Sequence, residues 1–244
     1  MYLQDYFVFL LALLACMALS MFAAAKVKNA YAAYSRVRSR SGLSGRDIAE
    51  RLLRMNGVSD IAVGRVSGEL SDHYNPAQHI VNLSDATYGN ATIAAAAVAA
   101  HEIGHVMQNK DGYAPYRLRT ALVPVVNFGS RLALPLVLIG ILIDGYVRTA
   151  NPDTGFTVAM IGVILYGASF LFSLVTLPVE LNASRRALEM LLAAGVISAD
   201  EQPAARRVLS AAALTYLASL LTSFVYFLRF LLYVLSVFGR RDRR

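Results

Sequence analysis

Cysteine is nearly absent from this chain: Cys16 stands alone among 244 residues. A lone thiol closes no internal disulfide, so nothing here requires an oxidising compartment. Charge is scarce too, at 16% of residues against 57% hydrophobic, with a mean hydropathy of +0.50. These values fall outside the soluble range and point to a membrane protein. The net charge of +7 does not make a nucleic-acid binder. Its basic residues cluster beside apolar stretches, where they set topology and meet anionic headgroups. No nucleic-acid partner is expected.

The leader MYLQDY lacks any basic side chain, and the apolar run at 7–25 is longer than the core of a usual signal peptide. A retained anchor is therefore expected, although Ala23, Ala24 and Ala25 resemble a cleavage site. LLAC at 13–16 lacks the positive charge that precedes a lipoprotein box. Roughly 20 helical residues cross the hydrocarbon core, and similar apolar blocks follow at 122–143, 156–177 and 211–238. The expected fold is a mainly α polytopic membrane protein with about four transmembrane helices and a small α+β region. Its segments are an anchor at 1–25, the α+β region at 26–120, a transmembrane hairpin at 121–177, a helical segment at 178–209, and a last span with a basic tail at 210–244.

Eight Lys and Arg residues between Lys26 and Arg54 put the α+β region on the cytoplasmic side by the positive-inside rule. That places the N-terminus and the loop near 144–155 outside. Four simple crossings also leave GRRDRR at 239–244 outside, against the same rule. The last block can be one long tilted helix, a span plus an interfacial segment, or a hairpin that returns the tail. Arg131 and Arg229, inside apolar blocks, are expected to snorkel or pair between helices.

In the polar region, SGRDIAERLLRMNG opens with Ser44 as N-cap, buries Ile48, Leu52 and Met55, and stops at Gly57. IAVGRV at 61–66 and HIVNLS at 79–84 predict short strands around SGELSDHYNPAQ, a turn-rich connection. From Thr92 the alanine-rich run TIAAAAVAAHEIGHVMQ predicts a helix, with Gly104 its one interior breaker.

Histidine is the next scarcity. Four occur, and two of them, His101 and His105, fall within HEIGH. From the composition, chance gives His-Glu-x-x-His an expectation of roughly 0.002. On a helix, residues i and i+4 lie about 40° apart and one turn apart in height, so both imidazoles share a face. Two imidazoles supply two of the three protein ligands of a catalytic zinc, leaving a position for water. Glu102, on the neighbouring flank, can take a proton from that water. The bland alternative is a polar helix seam with Glu102 facing solvent.

No histidine follows His105, so a carboxylate or an upstream histidine must complete the set. Asp111 has the spacing of the longer His-Glu-x-x-His-x-x-Gly-x-x-His/Asp pattern, but Gln108 stands where that pattern has its turn-making glycine. Glu180 lies in TLPVELNASRRAL, where Pro178 suits the first turn of a new helix and Ala183, Ser184 and Ala187 keep one face small. That helix can approach the HEIGH helix closely. Alternatively, Glu180 only favours a helix N-terminus, an effect of about 0.3 to 1 kcal/mol.

HEIGH with its alanine-rich helix, SDHYNP, LVPVVNFGS and LPVELNASRRAL together resemble the YugP-like family of bacterial membrane zinc metallopeptidases. More distantly, they resemble the HtpX-type and CAAX-prenyl-protease membrane peptidases. The resemblance implies a zinc cofactor held by His101, His105 and Glu180, with Glu102 as general base. In those distant relatives an aspartate follows the third-ligand glutamate by four residues; here that position is Ser184. His73, in SDHYNP, either assists catalysis by donating to the oxyanion or shapes a hairpin with Asp72. The expected protein is a zinc-dependent endopeptidase of the bacterial plasma membrane, gluzincin-like, with a cytoplasmic active site and a polypeptide substrate from or near the bilayer. The alternative is a catalytically silent scaffold or chaperone-like protein with structural zinc. A transporter is disfavoured because the spans carry no paired broken helices or internal repeat.

Overall fold

The computed structural model describes residues 3–147 and 153–239. Part of the expected outer loop, at 148–152, and the basic tail at 240–244 lie outside the described residues. In chain order the elements are α1 (Leu3–Tyr34), α2 (Gly45–Met55), β1 (Ala62–Val66), β2 (His73–Asn75), β3 (Ile80–Ser84), α3 (Asp85–Tyr88), α4 (Ile93–Lys110), α5 (Ala114–Tyr146), α6 (Thr154–Ala193) and α7 (Gln202–Phe238). Among the described residues, α1, α5, α6 and α7 are long and apolar enough to cross a bilayer. The chain is a multi-pass membrane protein.

All four long helices outrun their apolar blocks, α5 running from Ala114 to Tyr146 around the block at 122–143. α1 continues past 25 through AKVKNAYAAY, which has no breaker to stop it. α6 runs unbroken through Pro178, where a new helix was expected to begin. Proline removes one helical N–H and crowds the preceding turn, but in apolar surroundings ending the helix would leave several backbone groups unpaired. α7 is continuous from Gln202 to Phe238, which removes the hairpin arrangement of the last block.

The contacts divide into two units. The first comprises Met1–Ser20, Leu118–Leu177 and Tyr216–Arg244. Its core gathers Val137, Ala159, Val163, Val234 and Phe238. A methyl at Gly162 would stand 2.6 Å from the Ala133 carbonyl oxygen, so α5 and α6 meet backbone to backbone there. Arg229 is accommodated over the Phe9 ring, 5.0 Å from its centroid, an interhelical cation–π contact.

The second unit comprises Met21–Arg117 and Pro178–Thr215. Its sheet has the order β1-β3-β2. β1 runs parallel to β3, with Val63 opposite Val81, and β2 runs antiparallel, with Tyr74 opposite Val81. β2 lies inside the segment expected to be only turn. Asp72, just before β2, ties it to the end of β3: its carboxylate accepts from the Ser84 N–H and hydroxyl, both at 2.8 Å. α2 is capped as expected, Ser44 and Asp47 forming a reciprocal capping box. Its buried face is Ile48, Ala49, Leu52 and Leu53, whereas Met55 is 54% exposed. Met55 ends the helix and the stripe shifts toward residue 53, which packs inward instead. α4 is the centre of the unit: Ala94 to Ala97, Ala99 and Ala100 are fully buried, and their small side chains let α2, α3 and the sheet close around it.

Candidate metal centre

α4 begins where the Thr92 hydroxyl accepts from the Ala95 N–H, which fixes the register that presents His101 and His105. Their rings meet edge to face, with centroids 4.8 Å apart. Gly104, between them, has a structural purpose. A Cβ there would lie 2.7 Å from the Ala183 carbonyl oxygen and 3.1 Å from its Cα. Its missing side chain, with the buried Ala183 and Ala187, brings the α6 backbone against α4. Glu180, nearly one turn before Ala183, then reaches between the imidazoles. Its Oε2 is 3.1 Å from His101 Nε2 and 3.6 Å from His105 Nε2. One ligand atom from each of the three residues lies within 4.8 Å of the others, and Glu180 is 2% exposed.

The protons around this cluster can be followed from donors that have no choice. Arg186 Nε donates to Asn182 Oδ1 at 2.9 Å, so that amide's oxygen faces inward. Gln108 Nε2 donates to the same oxygen at 3.0 Å and to the Val179 carbonyl at 2.8 Å. The Gln108 Oε1 therefore faces His105, and His105 Nδ1–H donates to it at 3.0 Å. Neutral His105 then carries its lone pair on Nε2, toward Glu180. Ser184 Oγ lies 3.2 Å from His101 Nδ1 and can hold that ring the same way. Burial pushes the His105 imidazolium down, but the Glu180 acceptor, the Glu102 charge and Gln108 outweigh it, and the net shift is upward. Two imidazole nitrogens and a carboxylate oxygen converging with their lone pairs repel unless positive charge sits among them. This donor set fits zinc, with three protein ligands and a place left for water.

Glu102 is 8% exposed, next to His101 on α4, and its charge reaches His105. His73 is elsewhere. It lies exposed on β2, Nδ1–H donating to the Ser71 carbonyl at 2.9 Å and Nε2 accepting from Asn82 Nδ2 at 3.2 Å. The structure does not bring it into the cluster. Nor does it bring Asp111, the C-cap of α4, which pairs with Arg186. Sequence reasoning missed Gln108, treating it as a misplaced glycine. The available signal was its position three residues after His105, on the same helix face.

Gln108→Leu keeps the volume and removes the acceptor. Losing a partner of this kind typically costs about 10- to 100-fold in metal affinity, and chelator competition on the purified variant should read a loss of that order. Unchanged zinc affinity would remove Gln108 from the site.

A family model described as "Putative neutral zinc metallopeptidase" matches residues 8–235. The "Putative membrane protease YugP" of Bacillus subtilis (strain 168) is 40% identical over 228 residues, covering 93% of this chain and 97% of that relative. No solved structure matches the chain. Both matches extend over α4 and α6, the helices that supply the converging side chains.

Proposed function

The chain belongs to the neutral zinc metallopeptidase family, and from that premise we propose that it is a membrane endopeptidase in which His101, His105 and Glu180 hold the zinc and Glu102 is the general base. The observation that supports the ligand set is the meeting of three buried donors from two helices, 79 residues apart in sequence between His101 and Glu180. Bound zinc supplies Lewis acidity, bringing the pKa of water toward about 7 and polarising the scissile carbonyl.

The chain's own residues do the rest. Gln108 and Ser184 orient the two imidazoles so that each presents Nε2. Glu102 takes a proton from the attacking water and delivers it to the departing amine as the C–N bond breaks. Hydrolysis is direct, with no acyl-enzyme, and we read the two-His, one-Glu set as gluzincin-like. His73 has no part in this scheme, since both of its nitrogens are engaged on β2.

Purified full-length protein in detergent should carry about one zinc per chain and cleave members of a diverse peptide library, with cleavage lost to a chelator and restored by zinc. Zinc without any cleavage would instead leave a metal-bearing scaffold.

The site is further proposed to face the cytoplasm from the plasma membrane, because the basic residues after the first span mark that side. In a Cys16→Ser background, Ser67→Cys and Thr149→Cys should label from opposite sides of intact cells or vesicles. Labelling of both from one side would sink the arrangement.

A further inference from the structure

α1 and α7 change character at one place. Residues 7–25 contain no charged side chain and are followed by Lys26 and Lys28; residues 208–228 contain none and are preceded by Arg206 and Arg207. Within the second unit these two boundaries meet at a cavity of about 710 Å³ between the helices, lined by both Lys26 and Arg207. Neutral hydrogen-bonding groups, Asn29, Tyr34 and Ser210, share the lining with the cations, and Phe22, Ala25, Ala30 and Ala211 supply its apolar surface. Its lining contains no acidic side chain among the described residues. Arg207 Nη1 donates to the Tyr34 hydroxyl at 3.1 Å, and the Lys26 ammonium lies 5.9 Å from the Phe22 ring centroid. Both contacts hold a cation in place without neutralising it.

We propose that this cavity binds the headgroup of an anionic phospholipid. Two cations and neutral donors in one lining suit a phosphodiester, since guanidinium matches phosphate oxygens in shape and charge. The apolar lining residues have no use for a free anion, but they suit the glycerol and first methylenes of a lipid. A cavity where two helices pass from apolar to basic sequence also lies where headgroups are found. Val208 and Leu209, next to Arg207 on α7, pack in the same core as α4, so an occupied cavity stabilises the fold that carries the metal centre. The inference does not depend on the peptidase reading.

The test uses full-length protein in neutral detergent, with lipid binding followed by native mass spectrometry and by the shift in melting temperature. Short-chain phosphatidylglycerol should bind, with phosphatidylcholine and inorganic phosphate far weaker. Each cation near a headgroup contributes about fivefold, so Lys26→Gln with Arg207→Gln should weaken phosphatidylglycerol binding roughly 25-fold. Lys28→Gln with Arg206→Gln removes the same charge from positions that do not line the cavity, and should change binding less than about fivefold. Arg207→Lys should retain most of it. Equal losses from the two double variants would mean diffuse surface attraction, and inorganic phosphate binding as tightly as the lipid would mean a small-anion site; either overturns the proposal. If the first double variant does not fold, the single change of exposed Lys26→Gln decides: about a fivefold loss supports the site, and no change overturns it.

Discussion

Glu102→Gln is expected to keep its zinc and to lose peptide hydrolysis by about 10² to 10⁴-fold, the usual range for a general base. The substitution preserves size and hydrogen-bonding capacity at a position only 8% exposed, so the packing of α4 should not change. What it removes is basicity, and with it the path for the proton that must leave the attacking water. It also removes a negative charge that helps the site hold positive charge at His105, so a modest fall in zinc affinity is compatible with the role. The measurement is therefore made on metal-loaded enzyme, as kcat/KM for a cleaved peptide beside zinc content. Glu102→Asp, which keeps the carboxylate but shortens its reach, should fall between the two. Near-wild-type turnover by zinc-loaded Glu102→Gln would end the assignment.

The parts of this site that could be read from sequence are those with local causes. His101 and His105 share a face because of helix geometry alone, and the Thr92 cap and the alanine run predict that helix, which starts just after Thr92 and continues two residues past Gln108 to Lys110. Other features have causes that lie far along the chain. Gly104 looks like a weak point in a helix until the Ala183 backbone is placed 2.7 Å from where its Cβ would be. Gln108 has partners 71 and 74 residues away, and no periodicity can announce them. β2 is three residues long, too short for an alternating pattern, and is held by the β3 ladder and the Asp72 contacts with Ser84. Pro178 misled because the rule that proline starts helices is local. The advantage of keeping α6 whole comes from its surroundings.

Spacing within the polar region offered Asp111 as a third ligand, and family resemblance offered Glu180; two substitutions separate them. Glu180→Ala should sharply weaken zinc binding, and Asp111→Ala should leave it nearly intact. Removing a partner that merely orients a ligand costs about 10- to 100-fold in affinity, so removing one of three ligands should cost more than about 100-fold. Glu180 is buried with its oxygen facing both imidazoles, and no other carboxylate belongs to that cluster among the described residues. Asp111 is 44% exposed at its side chain and spends its charge on Arg186. A surface pair of this kind is worth about 0 to 1 kcal/mol, and Arg186 would still donate to Asn182 and keep Gln108 in place. Helicity and melting temperature, measured alongside zinc stoichiometry, guard against a folding defect. Glu180→Gln serves as the milder variant, since it keeps the side-chain volume and one oxygen but no charge. Metal retained by Glu180→Ala and lost from Asp111→Ala would reverse the ligand set, and would put the third ligand at the end of α4 rather than on the helix that crosses it.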